Sequence, residues 1–171
     1  MNDIEHGGPI FTYPFNATAV SSAATGGYDL WCVTAPSNSR LAVREIRIGQ
    51  YSEFADAQSE LLSILLLTGS TGISAGGSVI TGQNLKRYSG AATAASSVTG
   101  PSTTLASTAS ASLLLADSFN VAAGWYYRPP QVIERPVIGL SQRLLVRMSG
   151  VNDALTLNGT LTLQELGQTP Q

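Results

Sequence analysis

The stretch Ala154-Leu155-Thr156-Leu157-Asn158-Gly159-Thr160-Leu161-Thr162-Leu163-Gln164-Glu165-Leu166 decides the fold class. Leu155, Leu157, Leu161 and Leu163 alternate with Thr156, Asn158, Thr160, Thr162 and Gln164, the period-two pattern of a strand with one apolar and one wet face. A helix would scatter the same leucines around its surface. Asn158-Gly159 fits either a type I′ turn or a kink in one long strand where glycine relieves crowding. The apolar phase runs unbroken through Gly159, so one long strand is expected.

Working upstream, residues 142–149 repeat the pattern, with Leu144, Val146 and Met148 on one face and Arg143, Leu145 and Arg147 on the other. Residues 28–34 form an aromatic and β-branched strand stopped by Ala35-Pro36-Ser37-Asn38. In residues 41–51 the apolar phase changes from Leu41 and Val43 to Ile46 and Ile48, which predicts a β-bulge. Residues 59–68 satisfy both a buried strand and helical spacing. Strand is the reading adopted, because the neighbouring segments are strands and no helix cap precedes the run. Further strands are expected at 113–121, 124–128 and around Arg135-Pro136, where proline demands an edge or a bend.

Residues 69–112 are dominated by Gly, Ser, Thr and Ala, with charges only at Lys86 and Arg87. A structureless stretch of that length is unusual inside one domain. It reads as a long surface excursion with short β pieces, including an island at 84–88, ordered mainly by neighbouring subunits. Residues 1–27 read as an extended N-terminal arm. Its apolar cluster, Ile10, Phe11, Tyr13 and Phe15, is framed by Pro9 and Pro14. These aromatics either pack back on their own domain or anchor the arm on a neighbouring subunit. The tether is the expectation adopted, in which case removing residues 1–15 leaves the domain folded. About eight strands with no amphipathic helix, joined by Gly/Pro/Asn turns, make the chain all-β: an antiparallel jelly-roll sandwich or barrel spanning residues 28–171 as one domain.

Only 12% of the 171 residues are Asp, Glu, Lys or Arg, about half the usual share. Such a surface is either neutral in water or covered by partners. Lys86 is the single lysine among nine basic residues, and interfaces favour Arg over Lys. A net charge of −2 with no basic run argues against a nucleic-acid groove. No apolar run approaches about 18 residues, and neither a membrane span nor a signal peptide is expected.

The residues for chemistry are few. One histidine, His6, and one cysteine, Cys32, cannot assemble a triad or a metal site between them. The carboxylates, among them Asp29, Glu45, Asp117, Glu134 and Glu165, lack any diagnostic setting and read as partners for arginines. No phosphate-cradling glycine loop is present. The chain therefore reads as a non-enzyme without a cofactor. Trp125-Tyr126-Tyr127 can stack on a sugar ring, with Asp117 and Asn120 nearby, although a barrel core or a subunit interface uses such a cluster more often.

Four segments carry a resemblance: Glu45-Ile46-Arg47-Ile48-Gly49-Gln50, Asp56-Ala57-Gln58-Ser59-Glu60, Ala116-Asp117-Ser118-Phe119-Asn120-Val121-Ala122-Ala123-Gly124-Trp125, and Ala154 through Leu161 with Glu165. In these the chain resembles the small β-rich virion proteins of tailed bacteriophages, and among them the capsid decoration, or cement, proteins. The resemblance implies a trimeric β-barrel or jelly roll on the outer surface of the virion capsid. Its partners would be the major capsid protein and sister subunits. It carries over no catalytic residue. The alternative is a carbohydrate-binding jelly-roll module of a phage fibre or tail, with Trp125, Tyr126 and Tyr127 as the stacking platform.

Overall fold

The computed structural model describes residues 8–20, 26–51, 61–69, 72, 77–85, 94–149 and 154–166. His6, the island residues 86–88 and the turn at 150–153 lie outside the described residues, as does the start of the 59–68 run. The strands are β1 (Ile10–Val20), β2 (Tyr28–Thr34), β3 (Arg40–Gln50), β4 (Leu61–Thr68), β5 (Ser78–Val79), β6 (Gln83–Asn84), β7 (Ser97–Gly100), β8 (Ser112–Asn120), β9 (Trp125–Tyr127), β10 (Val137–Ile138), β11 (Arg143–Met148) and β12 (Leu155–Leu166). One short 3-10 turn covers Val132–Glu134. The protein is all-β: two antiparallel sheets packed as a sandwich.

The first sheet runs β10-β3-β12-β1-β6, and β9 shares with β10 the outer edge of β3. The second runs β5-β7-β2-β11-β4-β8. β12 is one unbroken strand, as its leucine phase predicts, and lies between β1 and β3. Leu155, Leu157, Leu161 and Leu163 are all at most 1% exposed. Gly159 occupies the same inward phase because there is no room for more: a Cβ there would meet the Phe15 ring at 2.5 Å and the Trp31 ring at 2.6 Å. The predicted bulge is present. Glu45 pairs with Thr162 and Val43 with Leu163, so Arg44 is the extra residue. This slip lets Leu41 and Val43, then Ile46 and Ile48, all face the core.

Residues 61–68 form a strand, as adopted. β4 pairs with β11 on one side and β8 on the other. The core between the sheets gathers Phe11, Tyr13, Trp31, Leu30, Ile46, Ile64, Leu144 and Met148, all at most 1% exposed. The indole N–H of Trp31 donates to the Tyr13 carbonyl at 2.9 Å, and its ring packs against Phe15 with centroids 4.9 Å apart.

Two expectations are corrected. From residue 10 the expected arm is a strand of the first sheet, paired with β12 from Ile10–Gln164 to Val20–Leu155. Phe11 and Tyr13 are fully buried and Phe15 is 8% exposed. The reason is the cluster's own alternation: Phe11, Tyr13 and Phe15 share one face of β1 and fill the core against Trp31. They are core residues rather than anchors for a neighbour, with only Ile10 half-exposed. Deleting residues 1–15 would therefore remove part of the core.

The second correction concerns residues 69–112. The described part contributes β5, β6 and β7, the short β pieces expected there, to the sheets, so it is built into its own domain rather than lying as an excursion over the surface. Asp29 and Ser102 exchange two backbone hydrogen bonds. Ala106 packs with Cys32, Leu67 and Leu145 on the second sheet's outward side. Cys32 is thus a buried core thiol.

Candidate functional site

The two groups of residues suggested by the sequence come out differently. Ile10, Phe11, Tyr13 and Phe15 are brought together, but inside the sandwich. Trp125, Tyr126 and Tyr127 form β9, whose alternation divides them. Trp125 and Tyr127 share one side and stack with centroids 5.9 Å apart and planes within 6°. Tyr126 points the other way and is 53% exposed.

Trp125 is only 8% exposed. Its Nε1 donates to Asp117 Oδ2 at 2.9 Å, and that bond, followed by the Ser118 N–H at 2.7 Å, holds the Asp117 carboxyl below its ordinary value. Asn120 is equally engaged: its Oδ1 accepts from the Ala122 N–H at 2.9 Å and its backbone carbonyl from Ala123 N–H, an Asx-type turn. Gly124 completes that turn at φ +70, where a Cβ would meet the Ile48 carbonyl oxygen at 2.8 Å. Asp117 and Asn120 therefore position β9.

Tyr126 carries the only outward ring of β9. The Arg47 guanidinium lies 5.1 Å from its centroid, a cation–π contact. Arg47 also pairs with Glu45, and the Tyr126 hydroxyl donates to Glu45 at 3.4 Å. Beside this trio opens a cleft of about 1020 Å³, lined by Arg47, Gly49, Tyr51, Gly124 and Tyr126 among others. Its volume is at the upper end for small-molecule sites. Among the described residues, however, its walls hold no grouping of acid, base and nucleophile. Among the described residues no three His, Cys, Asp or Glu side chains lie together as a metal site. No helix among them is long and apolar enough to cross a membrane.

Sequence reasoning passed over a different feature. β8 is the last strand of the second sheet, paired only with β4 among the described residues. It is nine residues long, and Leu113 and Leu114 on it are 55% and 44% exposed. It carries no lysine or proline, the residues that usually guard such an edge. The signal was present in the sequence: three successive leucines, Leu113-Leu114-Leu115, cannot all face one core in a strand.

No family model and no curated protein matches the chain.

Proposed function

We propose that this protein is a structural virion subunit of a tailed bacteriophage that decorates and stabilises the capsid shell as a homotrimer. The observation that carries the reading is the edge of β8, unpaired among the described residues. A long edge strand with exposed leucines, interrupted by a bulge at Leu114 and the charge of Asp117, offers another chain a strand to pair with. The low charge of the chain supports a largely covered surface. Sister subunits and the major capsid protein are the partners in this reading, and no catalysis is assigned to it.

The order of the strands supports a jelly roll as the finer description of the sandwich. β1, β12, β3 and β9 fill one layer and β2, β11, β4 and β8 the other, so that among these eight strands every step along the chain except β4 to β8 crosses from sheet to sheet. The test is native mass spectrometry of the purified chain at micromolar concentration, together with its location in a virion reconstruction. A trimer whose interface contains β8, seated on the head, is the expected result. A monomer in solution that is also monomeric on the particle, or density only in the tail, defeats the proposal.

The carbohydrate-binding reading is favoured by one observation, the cleft beside exposed Tyr126. Burial of Trp125 moves the relevant ring from Trp125 to Tyr126. A glycan-array signal that Tyr126→Ala abolishes while leaving the fold intact is the outcome that reading requires.

A further inference from the structure

On the wet face of β12 two guanidinium groups share one amide, with a third beside them. Gln164 is 3% exposed, and its Oε1 accepts from Arg44 Nη1 at 3.0 Å and from Arg135 Nη1 at 3.3 Å. Arg44 is the residue that the β3 bulge leaves without a register partner on β12, and a bulge is a device for re-aiming a side chain. Arg135 comes from the segment between the 3-10 turn and β10. Arg128, just past β9, completes the group.

These three arginines and the β12 residues Thr160 and Thr162 line one hollow of about 390 Å³. The acidic residue described in its lining, Glu45, is engaged by Arg47. No ion pair to Arg44, Arg128 or Arg135 is present among the described residues. Two half-buried cations thus share a neutral acceptor with a third cation beside them. Burial, then Arg44, then Arg128 pull Arg135 below the ordinary arginine value. A guanidinium does not escape such crowding by losing its proton. What relieves it is an anion.

The geometry points to a binding site for a doubly charged tetrahedral oxyanion, inorganic phosphate or the phosphate group of a larger molecule, held by Arg44, Arg128 and Arg135. Guanidinium forks match the oxygens of such an anion in pairs. Three uncompensated positive charges call for a dianion rather than a single carboxylate. The hollow lies at the small end of ligand sites, which begin near 300 Å³, and still exceeds a bare ion, leaving space for a substituent on the phosphate. This inference stands on the arginine geometry alone and is independent of the virion reading.

Calorimetric titration of the full chain with inorganic phosphate, at ionic strength held constant with chloride, tests it. Saturable one-to-one binding is expected, with acetate binding far more weakly. The Arg44→Gln/Arg135→Gln double variant should bind phosphate at least about tenfold more weakly. In phosphate-free buffer its melting temperature should be unchanged or higher, because repulsion has been removed. Arg128→Gln, at an exposed position, keeps the fold and should weaken binding as well. Tighter binding of glycerol phosphate than of inorganic phosphate assigns the site to a phosphate group on a larger molecule; the reverse order assigns it to the free ion. Acetate binding as tightly as phosphate, or phosphate affinity unchanged in both Arg128→Gln and the double variant, overturns the proposal.

Discussion

β12 is held by apolar side chains, with Leu155, Leu157, Leu161 and Leu163 set into the core, whereas the segment from residue 94 to 106 is pinned by two carboxylates. Glu165 Oε1 accepts from the N–H groups of Ala95 and Ser96 at 2.9 and 3.0 Å, and from the Ser96 hydroxyl at 3.1 Å. Asp29, fully buried, accepts from the Ala106 N–H at 2.7 Å and from Arg147 Nε and Nη2 at 2.7 and 3.1 Å. Arg147 Nη2 returns to the Ala106 carbonyl at 2.8 Å. A Ser/Thr/Ala-rich stretch has little apolar surface to bury, so its place in the fold depends on backbone groups reaching fixed acceptors. The two kinds of attachment should fail differently.

The largest effect is expected at Asp29. Asp29→Ala leaves the Arg147 guanidinium uncompensated, its side chain only 14% exposed, and frees the Ala106 amide. A loss of about 3–5 kcal/mol in urea unfolding is expected, with hydrogen exchange accelerated first around Ser102 and Ala106. A small loss with unchanged exchange would mean that Val98 and Ala106 hold the segment by packing, and the contrast with β12 would collapse.

Leu161→Ala comes next, at about 2–5 kcal/mol for a cavity in a close-packed core. Here protection should fall across both sheets together, since Leu161 belongs to the shared core. Exchange confined to β12 would show that the core is less cooperative than the packing implies. Glu165→Ala should cost about 1–3 kcal/mol by stranding two N–H groups, with exchange rising at Ala95 and Ser96 and the rest of the sandwich unaffected.

The smallest effect at neutral pH is expected for Tyr13→Phe, about 1 kcal/mol, through the hydrogen bond between the Tyr13 and Ser96 hydroxyls. It has an alkaline signature. Burial raises the Tyr13 phenol from 10.0 to about 12, partly offset by Ser96 and reinforced by Glu165. The unfolded chain loses this proton near pH 10 and the folded one only near 12, so stability is full below pH 10 and falls as pH rises through that window. Tyr13→Phe should remove this part of the slope in unfolding measured from pH 9 to 12.

The apolar half of this contrast could be read in the sequence, because it is written as periodicity. The long β12 and the Arg44 bulge each follow from spacing within one segment. The polar half could not. Asp29 and Glu165 act on residues about 70 to 80 positions away, and nothing local separates a carboxylate that will accept backbone N–H groups from one that meets an arginine in water. The cluster of Ile10, Phe11, Tyr13 and Phe15 was legible in principle, since its alternation is that of a strand; the Gly- and Pro-rich flanks obscured it. In Trp125-Tyr126-Tyr127 the same alternation separates one outward ring from two inward ones. The arginine hollow brings together β3, β12 and the segment after β9, and only the pairing of distant strands reveals it.

The placement of β12 between β1 and β3, matched by that of β11 between β2 and β4, has a consequence for how the chain is born. The strands that complete both sheets are the last two in chain order among the described residues. Until residues 143–166 have emerged, β1 and β3 lack their common neighbour, and so do β2 and β4. The nascent chain must therefore carry its aromatic strands with open edges until that segment arrives, and closure of the sandwich is a non-local event of the kind that makes folding slow.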